Sequence, residues 1–179
     1  TLVCVGDYVV LDSLDWNQNR GVIIDLKKRK SFLERPPVAN ISEVFVVFSV
    51  KNPDFYIEQA SRFLLTAEKS KVNIGVILTK IDLIPNEELM LLIDRLRGWG
   101  YSPLAVSIKS GKGVKQVMRQ FENSELSVLC GPSGVGKSSL LNLLIPEASA
   151  KVGSLSARLQ RGRNITRHVE LFSLGNGAL

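Results

Sequence analysis

The sequence contains few residues that build metal centres and no apolar run long enough to cross a membrane. With two cysteines and one histidine, it cannot form a four-ligand zinc site from those residue types. Uninterrupted apolar runs reach only five residues, as in Val44–Phe48, whereas a transmembrane helix needs about 20. Both cysteines, Cys4 and Cys130, lie in apolar, strand-like runs. We therefore expect a protein of a reducing compartment with no membrane partner.

The remaining composition is that of a packed globular protein with an excess of positive charge. Of the 179 residues, 45% are hydrophobic and 22% are charged, and the net charge is +6. These values exclude disorder and fibrous structure. The basic side chains are concentrated in residues 20–35, 105–119 and 151–179. Such concentration favours an anionic partner, RNA first, because Lys and Arg replace the counterions of phosphates. A solvated basic face without a partner is the alternative.

The double proline Pro36-Pro37 divides the chain into a β-rich part and an α/β part. Residues 1–36 are predicted to form a partial OB-like β domain of short strands, and residues 37–42 to form a linker. In residues 43–179, apolar runs alternate with amphipathic helices, which favours an α/β fold with a parallel sheet covered on both faces. The predicted strands of this sheet are Val44–Val50, Ile74–Leu78, Leu104–Val106 and Leu126–Cys130.

A glycine-rich segment follows the last predicted strand and precedes a helix. It fits the pattern G-x-x-x-x-G-K-[ST], in which glycines let consecutive backbone N–H groups face phosphate oxygens at the positive end of a helix. Lys137 is expected to contact the β- and γ-phosphates, and the Ser138 hydroxyl to bind Mg²⁺. An ordinary glycine-rich turn is the alternative, which this strand and helix context disfavours. The predicted contacts of this phosphate loop are Gly131, Pro132, Ser133, Gly134, Val135, Gly136, Lys137, Ser138 and Ser139.

Two further loops follow strands at positions suited to base recognition. Thr79, Lys80 and Asp82 come directly after Ile74–Leu78, at the edge where open α/β sheets bind ligands. The Asp82 carboxylate can accept two hydrogen bonds from N1–H and the exocyclic amine of guanine, a pair that adenine does not offer. The stem of Lys80 can lie along the purine face. By itself this segment is also compatible with a polar turn.

The second base loop is Ser107-Ile108-Lys109, after the next predicted strand. The backbone N–H of Ile108 can donate to guanine O6, although a basic turn is the alternative for this segment alone. Together with the phosphate loop, the two base loops predict a site for GTP or GDP with Mg²⁺. Both base loops precede the phosphate loop, whereas in Ras-like GTPases they follow it. The sequence therefore predicts a circularly permuted P-loop GTPase domain.

These motifs resemble the ribosome small subunit-dependent GTPase A family, which has an amino-terminal oligonucleotide-binding barrel, a permuted GTPase domain and a carboxy-terminal zinc domain. The resemblance implies GTP hydrolysis stimulated by the small ribosomal subunit, rRNA binding and release of an assembly factor during late maturation of that subunit. It implies a bacterial-type protein of the cytoplasm, the chloroplast stroma or the mitochondrial matrix, and we expect a monomer. The matching segments are Val5–Val9, Arg29–Ser31, Arg35–Asn40, Thr79–Asp82, Ser107–Gly113, Gly131–Leu140 and Arg161–Leu171.

The sequence departs from the family pattern in three ways. Thr79 stands where the family usually has Asn, and Asn164-Ile165 where it tends to have His-Thr. The resemblance thus leaves Thr166 as the switch residue expected to bind Mg²⁺ and the γ-phosphate. No Asp-x-x-Gly switch follows, so we expect this chain to end before that switch and before the zinc domain, to bind nucleotide and to hydrolyse GTP weakly on its own. No residue, His168 included, is predicted to be catalytic.

Two other functions stay open. The segment Gly-Pro-Ser-Gly-Val-Gly-Lys is also similar to the phosphate loop of guanylate kinases. Such kinases begin near this loop, so most of the kinase would have to follow it, but only 41 residues follow Ser138. The other alternative is an RNA-binding module in which GTP or GDP only stabilises the fold.

Overall fold

The structure of the chain, a computed structural model, describes residues 2–34, 36–122, 124–145, 171–174 and 177–178. Within these ranges, a β-rich beginning is followed by alternating strands and helices. The strands are β1 (Val9–Asp15), β2 (Arg20–Leu26), β3 (Phe32–Glu34), β4 (Pro37–Ala39), β5 (Glu43–Ser49), β6 (Asn73–Thr79), β7 (Leu104–Val106), β8 (Ser127–Cys130), β9 (Ser173–Leu174) and β10 (Gly177–Ala178). The helices are α1 (Ile57–Glu68), α2 (Asn86–Gly98), α3 (Val114–Glu122) and α4 (Lys137–Leu144), with a 3₁₀ turn at Ile81–Leu83.

Four parallel strands form the central sheet in the order β7-β6-β5-β8. Strand β5 pairs with β6 along its whole length, from Glu43 opposite Asn73 to Ser49 opposite Thr79, and with β8 on its other side. All residues of β5 after Glu43 are buried, as is typical of a parallel strand covered on both faces. The prediction of an α/β fold with a parallel sheet is confirmed.

Helices cover the two faces of the sheet. The side chains of β5 alternate between two apolar clusters: Val44 and Val46 belong to the cluster that contains α1 and α2, whereas Phe45 and Val47 belong to the cluster that contains α3 and α4. The Phe45 ring packs on Phe121 of α3 with 4.1 Å between ring centroids. No helix in the described ranges combines the length and the apolar character that a membrane crossing requires.

Helix α2 begins one residue earlier than the sequence pattern predicts. The position of Asn86 before an apolar stripe predicts that its side chain caps the helix, but Asn86 is the first helical residue and Pro85 occupies the cap position without a side-chain hydrogen bond. The capping prediction is therefore wrong. The first turn is instead favoured by Glu87 and Glu88, whose negative charges face the positive end of the helix dipole. The sequence likewise predicts that Gly98 caps the end of this helix, but Gly98 is the last helical residue and Trp99 occupies the C-cap, so that prediction is wrong by one residue.

The residues before β5 form two separate antiparallel hairpins, β1-β2 and β3-β4. The second hairpin includes Pro37–Ala39, so the segment 37–42, expected to be a linker, begins with a paired strand. Proline has no backbone N–H to donate to a neighbouring strand. At the first position of a strand this donor is not needed, so Pro37 does not prevent the pairing. The described strands of this region do not close a barrel, and the OB-like barrel stays a prediction.

A buried carboxylate anchors this N-terminal region. The Asp7 side chain is fully buried and accepts two hydrogen bonds from Arg29, at 2.7 and 2.8 Å, and one from the backbone N–H of Cys4. The Arg29 guanidinium also stacks over the Phe32 ring. These contacts hold the pKa of Asp7 well below its usual value, with the Arg29 hydrogen bond as the main cause. The segment before β1 is thereby linked to β3.

The segment after β4 is held to the same region. The Asn40 side-chain amide donates to the Gly6 carbonyl at 2.8 Å, and its carbonyl oxygen accepts from the Lys30 backbone N–H. Position 6 requires glycine, since its φ is +84° and a Cβ there would lie 2.1 Å from the Ala39 carbonyl oxygen. The segments around Gly6, Lys30 and Asn40, which carry the family resemblance, therefore meet in space.

Candidate nucleotide-binding site

Four loops meet at the carboxyl edge of the central sheet. Because β5, β6, β7 and β8 are parallel, the loops that follow them emerge at one edge, where open α/β sheets bind ligands. These loops are residues 50–56, residues 80–85, residues 107–113 and residues 131–136. The sequence predicted three of the four as site loops. The structure thus brings the two base loops and the phosphate loop together.

The phosphate loop has the backbone geometry that a phosphate cradle requires. Gly131 has φ +141°, and a Cβ there would lie 2.2 Å from the Val47 carbonyl oxygen. Gly136 has φ +96° and occupies the N-cap of α4. Val135 is buried in the core beneath the loop, which fixes the loop on the sheet. The N-terminus of α4 therefore faces the loop, and its free N–H groups and dipole favour an anion.

The Lys137 side chain folds over the phosphate loop. Its ammonium donates to the carbonyl oxygens of Gly131 at 2.9 Å and Pro132 at 2.7 Å. Partial burial lowers the pKa of Lys137, because a low-dielectric environment disfavours the charged form. A phosphate next to this ammonium supplies the opposite charge that the buried environment lacks. The residue is thus placed to bind an anion in this loop.

Cys130, the last residue of β8, lies beside Lys137 but has a different character. Burial raises the pKa of its thiol to about 12, and the nearby Lys137 charge only partly offsets this effect. The thiol therefore stays protonated near neutral pH, which removes the nucleophilic thiolate form. We assign Cys130 to the packing below the loop.

Thr79 links the first base loop to the phosphate loop. Its side chain is 1% exposed, and its hydroxyl lies 2.5 Å from the Val135 carbonyl oxygen and 3.2 Å from that of Phe48. Since a hydroxyl has one proton to donate, the shorter contact is the stronger bond. Thr79 is thus buried between the loops and supports them from below.

Lys80 makes a second link between the same loops. Its backbone is left-handed, with φ +59°, and this turn directs the side chain across the edge of the sheet. The ammonium donates to the Gly134 carbonyl at 2.8 Å and to the carbonyl of Asn52. The stem of Lys80 therefore passes between the phosphate loop and the loop after β5.

Asp82 and Ser107 join the two base loops. The Ser107 hydroxyl donates to Asp82 Oδ1 at 2.6 Å and accepts from the backbone N–H of Ser110 at 3.1 Å. The pKa of Asp82 is lowered, first by the Ser107 hydrogen bond and further by a backbone hydrogen bond and the charge of Lys109. Asp82 is exposed, whereas Ser107 is buried. An ionised carboxylate is thus held at the open edge, as guanine recognition requires.

The other predicted site residues divide into supporting and exposed positions. Ile108 is half-buried and packs on the cluster beneath α3 and α4, whereas Lys109 is exposed. Ser133, Ser138 and Ser139 are exposed on the phosphate loop and the first turn of α4. The Ser138 hydroxyl makes no hydrogen bond within the described part of the chain and is accessible to a metal ion.

The described residues cover only part of the predicted metal site. Thr166, the second predicted Mg²⁺ ligand, and His168 lie outside the described residues. Among the residues that are described, no group of three or more His, Cys, Asp or Glu side chains could hold a metal ion. The donors that fit the predicted metal here are the Ser138 hydroxyl and, when nucleotide is bound, phosphate oxygens, which are ligands that Mg²⁺ prefers.

The loop after β5 was missed by the sequence analysis. Its Asn52 carbonyl accepts from Lys80, and Pro53 lies against the phosphate loop, 3.4 Å from where a Cβ on Gly134 would be. The buried Ser49 hydroxyl donates to the Pro53 carbonyl at 2.7 Å, which fixes this loop to the end of β5. The only feature of the sequence that could have indicated this loop is its place directly after a predicted strand, which puts it at the same edge of the sheet.

Comparison with known proteins supports this arrangement. A family model described as RsgA GTPase matches residues 26–179. The chain is 51% identical over 177 residues to "Small ribosomal subunit biogenesis GTPase RsgA" of Prochlorococcus marinus (strain MIT 9303), covering 99% of this chain and 55% of that protein. It is 54% identical over 173 residues to the protein of the same name from Synechococcus sp. (strain CC9311), covering 97% and 57%. The chain thus spans about half the length of these curated relatives.

Solved structures show the same fold. The crystal structure of YjeQ from Thermotoga maritima superposes with a TM-score of 0.74 at 28% identity, covering 98% of this chain and 58% of that one. The structure of YloQ, described as a circularly permuted GTPase, superposes with a TM-score of 0.71 at 30% identity, covering 99% and 56%. The predicted fold class, with base loops before the phosphate loop, is confirmed. Since the family model matches most of the chain and relatives share about half of its residues, this chain belongs to the RsgA GTPase family.

Proposed function

We propose that the chain binds GTP and GDP with Mg²⁺ at the carboxyl edge of its sheet. Asp82 recognises the guanine base and Ser107 orients Asp82, while Lys137 and the backbone of the phosphate loop hold the phosphates. The observation that carries the proposal is the 2.6 Å hydrogen bond between Ser107 and Asp82. It keeps an exposed carboxylate ionised in a loop that Thr79 joins to the phosphate loop.

The metal site completes this proposal. Ser138 and Thr166 are the proposed protein ligands of Mg²⁺. When bound, Mg²⁺ neutralises the charge of the phosphates between which hydrolysis occurs. The chain's own contribution is to position the nucleotide, since positioning and charge stabilisation supply most of the catalysis of phosphoryl transfer. No described residue is assigned as a catalytic base.

For the whole protein we propose GTP hydrolysis as a switch in late maturation of the small ribosomal subunit. The names of the relatives support this function, and the basic segments of the chain suit a partner rich in rRNA. We propose further that the protein acts as a monomer in the bacterial cytoplasm or in an organelle with bacterial-type ribosomes. Release of an assembly factor and a zinc-binding C-terminal domain belong to the same proposal.

The first test is calorimetric titration of the chain with GDP, ADP and xanthosine diphosphate in the presence of Mg²⁺. Wild type is expected to prefer GDP. Asp82→Asn replaces a carboxylate oxygen that accepts by an amide that donates, so this variant is expected to lose GDP affinity and gain affinity for xanthosine diphosphate. The matched control is Asp12→Asn, at an exposed position of β1. Equal binding of ADP and GDP by wild type, or an unchanged preference in Asp82→Asn, would contradict the guanine site.

A further inference from the structure

A cavity of about 520 Å³ lies where three parts of the chain meet. It is bounded by helix α1, by the β3-β4 hairpin, and by the end of β8 with the start of the phosphate loop. We call it the α1 cavity. Ligand pockets of folded proteins typically measure about 300–1,000 Å³, so this cavity is large enough for a small molecule.

Much of the wall of the α1 cavity is apolar and belongs to the core. Leu33 and Ala67 are buried in the apolar cluster that contains α1 and α2, and Phe63 and Cys130 pack against that cluster. The Cys130 thiol adds no charge to the wall near neutral pH, because burial raises its pKa to about 12. Such a wall favours the apolar body of a ligand, since burial of apolar surface removes it from water.

The charged side chains that line the α1 cavity are cationic. Among the described residues, its lining includes Arg62 and Lys137 but no Asp or Glu. Arg62 is exposed on α1, so the cavity reaches the surface there. Its guanidinium makes no ion pair or hydrogen bond with any other described residue. A site with cations and without acidic neighbours favours an anionic group.

The α1 cavity differs from the proposed nucleotide site in most of its residues. The two share Gly131 and Lys137, where the cavity borders the phosphate loop. The rest of the lining comes mainly from α1 and the β3-β4 hairpin, elements that supply no residue of the proposed nucleotide site. The base loops, in turn, contribute nothing to the cavity lining. Two ligands can therefore lie side by side, one on each side of Lys137.

We propose that the α1 cavity is a second ligand site, which takes a small amphipathic anion: an apolar ring system or short alkyl chain that carries one carboxylate or sulfonate group. The apolar body packs against Leu33, Phe63 and Ala67, and the anionic group pairs with Arg62. This chemistry is favoured over a second copy of the chain, because each copy has a net charge of +6 and like charges oppose association at a cavity lined by cations.

The test is fluorescence titration with two dyes that share one ring system. Anilinonaphthalene sulfonate carries an anionic group, whereas phenylnaphthylamine lacks it, and both fluoresce more strongly when their rings leave water. The variants are Arg62→Gln, which removes the cation, and Ala67→Leu, which fills part of the α1 cavity. The matched control is Arg95→Gln, at an exposed position of α2 outside the cavity lining. Both glutamine variants lose one positive charge, so only the position of the lost charge differs.

Wild type is expected to bind anilinonaphthalene sulfonate more tightly than phenylnaphthylamine. Arg62→Gln is expected to weaken sulfonate binding about two- to fivefold, the range of an exposed ion pair, and to leave phenylnaphthylamine binding unchanged. Ala67→Leu should weaken binding of both dyes. If Ala67→Leu does not fold, the exposed substitution Arg62→Gln still decides. Equal affinity of wild type for the two dyes, unchanged sulfonate binding in Arg62→Gln, or the same loss in Arg95→Gln would overturn the proposal.

Two parallel measurements distinguish the α1 cavity from the other possible sites. GDP is titrated into wild type saturated with anilinonaphthalene sulfonate, and both ligands are expected to stay bound. Complete displacement of the dye by GDP would overturn the proposal, because the cavity would then belong to the nucleotide site. If wild type binds no GDP, the proposed function fails, whereas the dye titrations still test the cavity. Sedimentation tests a second copy as the occupant: a dimer that the dye dissociates would also overturn the proposal.

Discussion

At the scale of single residues, the site loops are joined by side chains that donate hydrogen bonds to backbone carbonyls. Thr79 bonds Val135, and Lys80 bonds Gly134 and Asn52. A backbone acceptor is present whatever the side chain at its position. The loops can therefore be uncoupled only by changing the donor residues, which makes Thr79 and Lys80 the informative positions for mutation.

Thr79→Val is expected to destabilise the chain by about 1–3 kcal/mol, because the substitution keeps the shape but leaves the buried Val135 carbonyl without its donor. GDP affinity should fall as well, since the two loops lose a link. Urea unfolding and calorimetric titration measure the two effects. The control is Thr66→Val, whose exposed hydroxyl bonds only the Arg62 carbonyl of its own helix. Equal effects of the two substitutions would contradict a linking role for Thr79.

Gly131→Ala is expected to cost more than about 3 kcal/mol of folding stability, as severe backbone conflicts do. The added methyl group would lie 2.2 Å from the Val47 carbonyl oxygen, at a φ of +141° that side chains rarely adopt. Gly98→Ala is the control, because nothing lies within 4 Å of its Cβ position and alanine favours the helix by up to about 1 kcal/mol. Thermal unfolding of both variants measures these effects. An unchanged stability of Gly131→Ala would contradict the prediction and show that the loop can rearrange.

The sequence predicts the residues expected to contact the nucleotide better than the residues that hold the loops in place. Lys137 and Asp82 stand in motifs whose spacing follows from phosphate and base geometry, and the structure places them at one edge. The carbonyl of Asn52 could not be predicted in this way, because any residue supplies a carbonyl and no pattern marks it. The prediction that Asn86 caps α2 is wrong for a local reason, because Pro85 occupies the cap position.

At the scale of elements, the β1-β2 hairpin contributes little to the core, whereas Leu33 and Val38 of the β3-β4 hairpin are buried in a core cluster. Several large apolar side chains of β1 and β2 are exposed, among them Leu14, Val22 and Ile24. The Asp7–Arg29 pair and the Asn40 amide also link the chain segments around these hairpins. The attachment of the region should therefore respond to pH.

Acidification is expected to weaken the contribution of Asp7. Its pKa is lower in the folded state than its unfolded value of about 4, so the ionised form stabilises the fold. This contribution is complete above about pH 4 and is lost as the pH falls below that value toward the folded pKa. The stability difference between wild type and Asp7→Asn should therefore shrink between pH 6 and pH 3, as measured by urea unfolding with circular dichroism. A constant difference across this pH range would contradict this account.

Elements were predicted well where burial on both faces produces continuous apolar runs. Strands β5, β6, β7 and β8 lie within two residues of their predicted limits, because a parallel strand has no polar face to obscure the pattern. Strand β4 was missed, since Pro37 suggests a linker. Its pairing with β3 depends on tertiary contacts of Ala39 and Asn40 with the start of the chain, which no local pattern shows.

At the scale of the whole molecule, nucleotide binding and folding are expected to be linked. A ligand that binds only the folded chain adds about 2.7 kcal/mol of stability at a concentration 100 times its dissociation constant. For a chain of this size, that corresponds to a rise in Tm of about 5–10 °C. GDP should produce this rise in wild type, and xanthosine diphosphate should produce it in Asp82→Asn. Thermal scans with ADP provide the control, and an equal rise with ADP would contradict guanine specificity.

The permuted order of the loops has a consequence for the chain as it leaves the ribosome that makes it. Strands β5, β6 and β7 are adjacent in sequence and in the sheet, so they can pair while the rest is still being synthesised. The phosphate loop emerges later: Lys137 follows Asp82 by 55 residues, about 3–10 s at typical bacterial rates. Strand β8 must then return to pair with β5, the first strand of the sheet. The proposed nucleotide site is thus completed last, and a nascent chain presents its base loops before it can hold a phosphate.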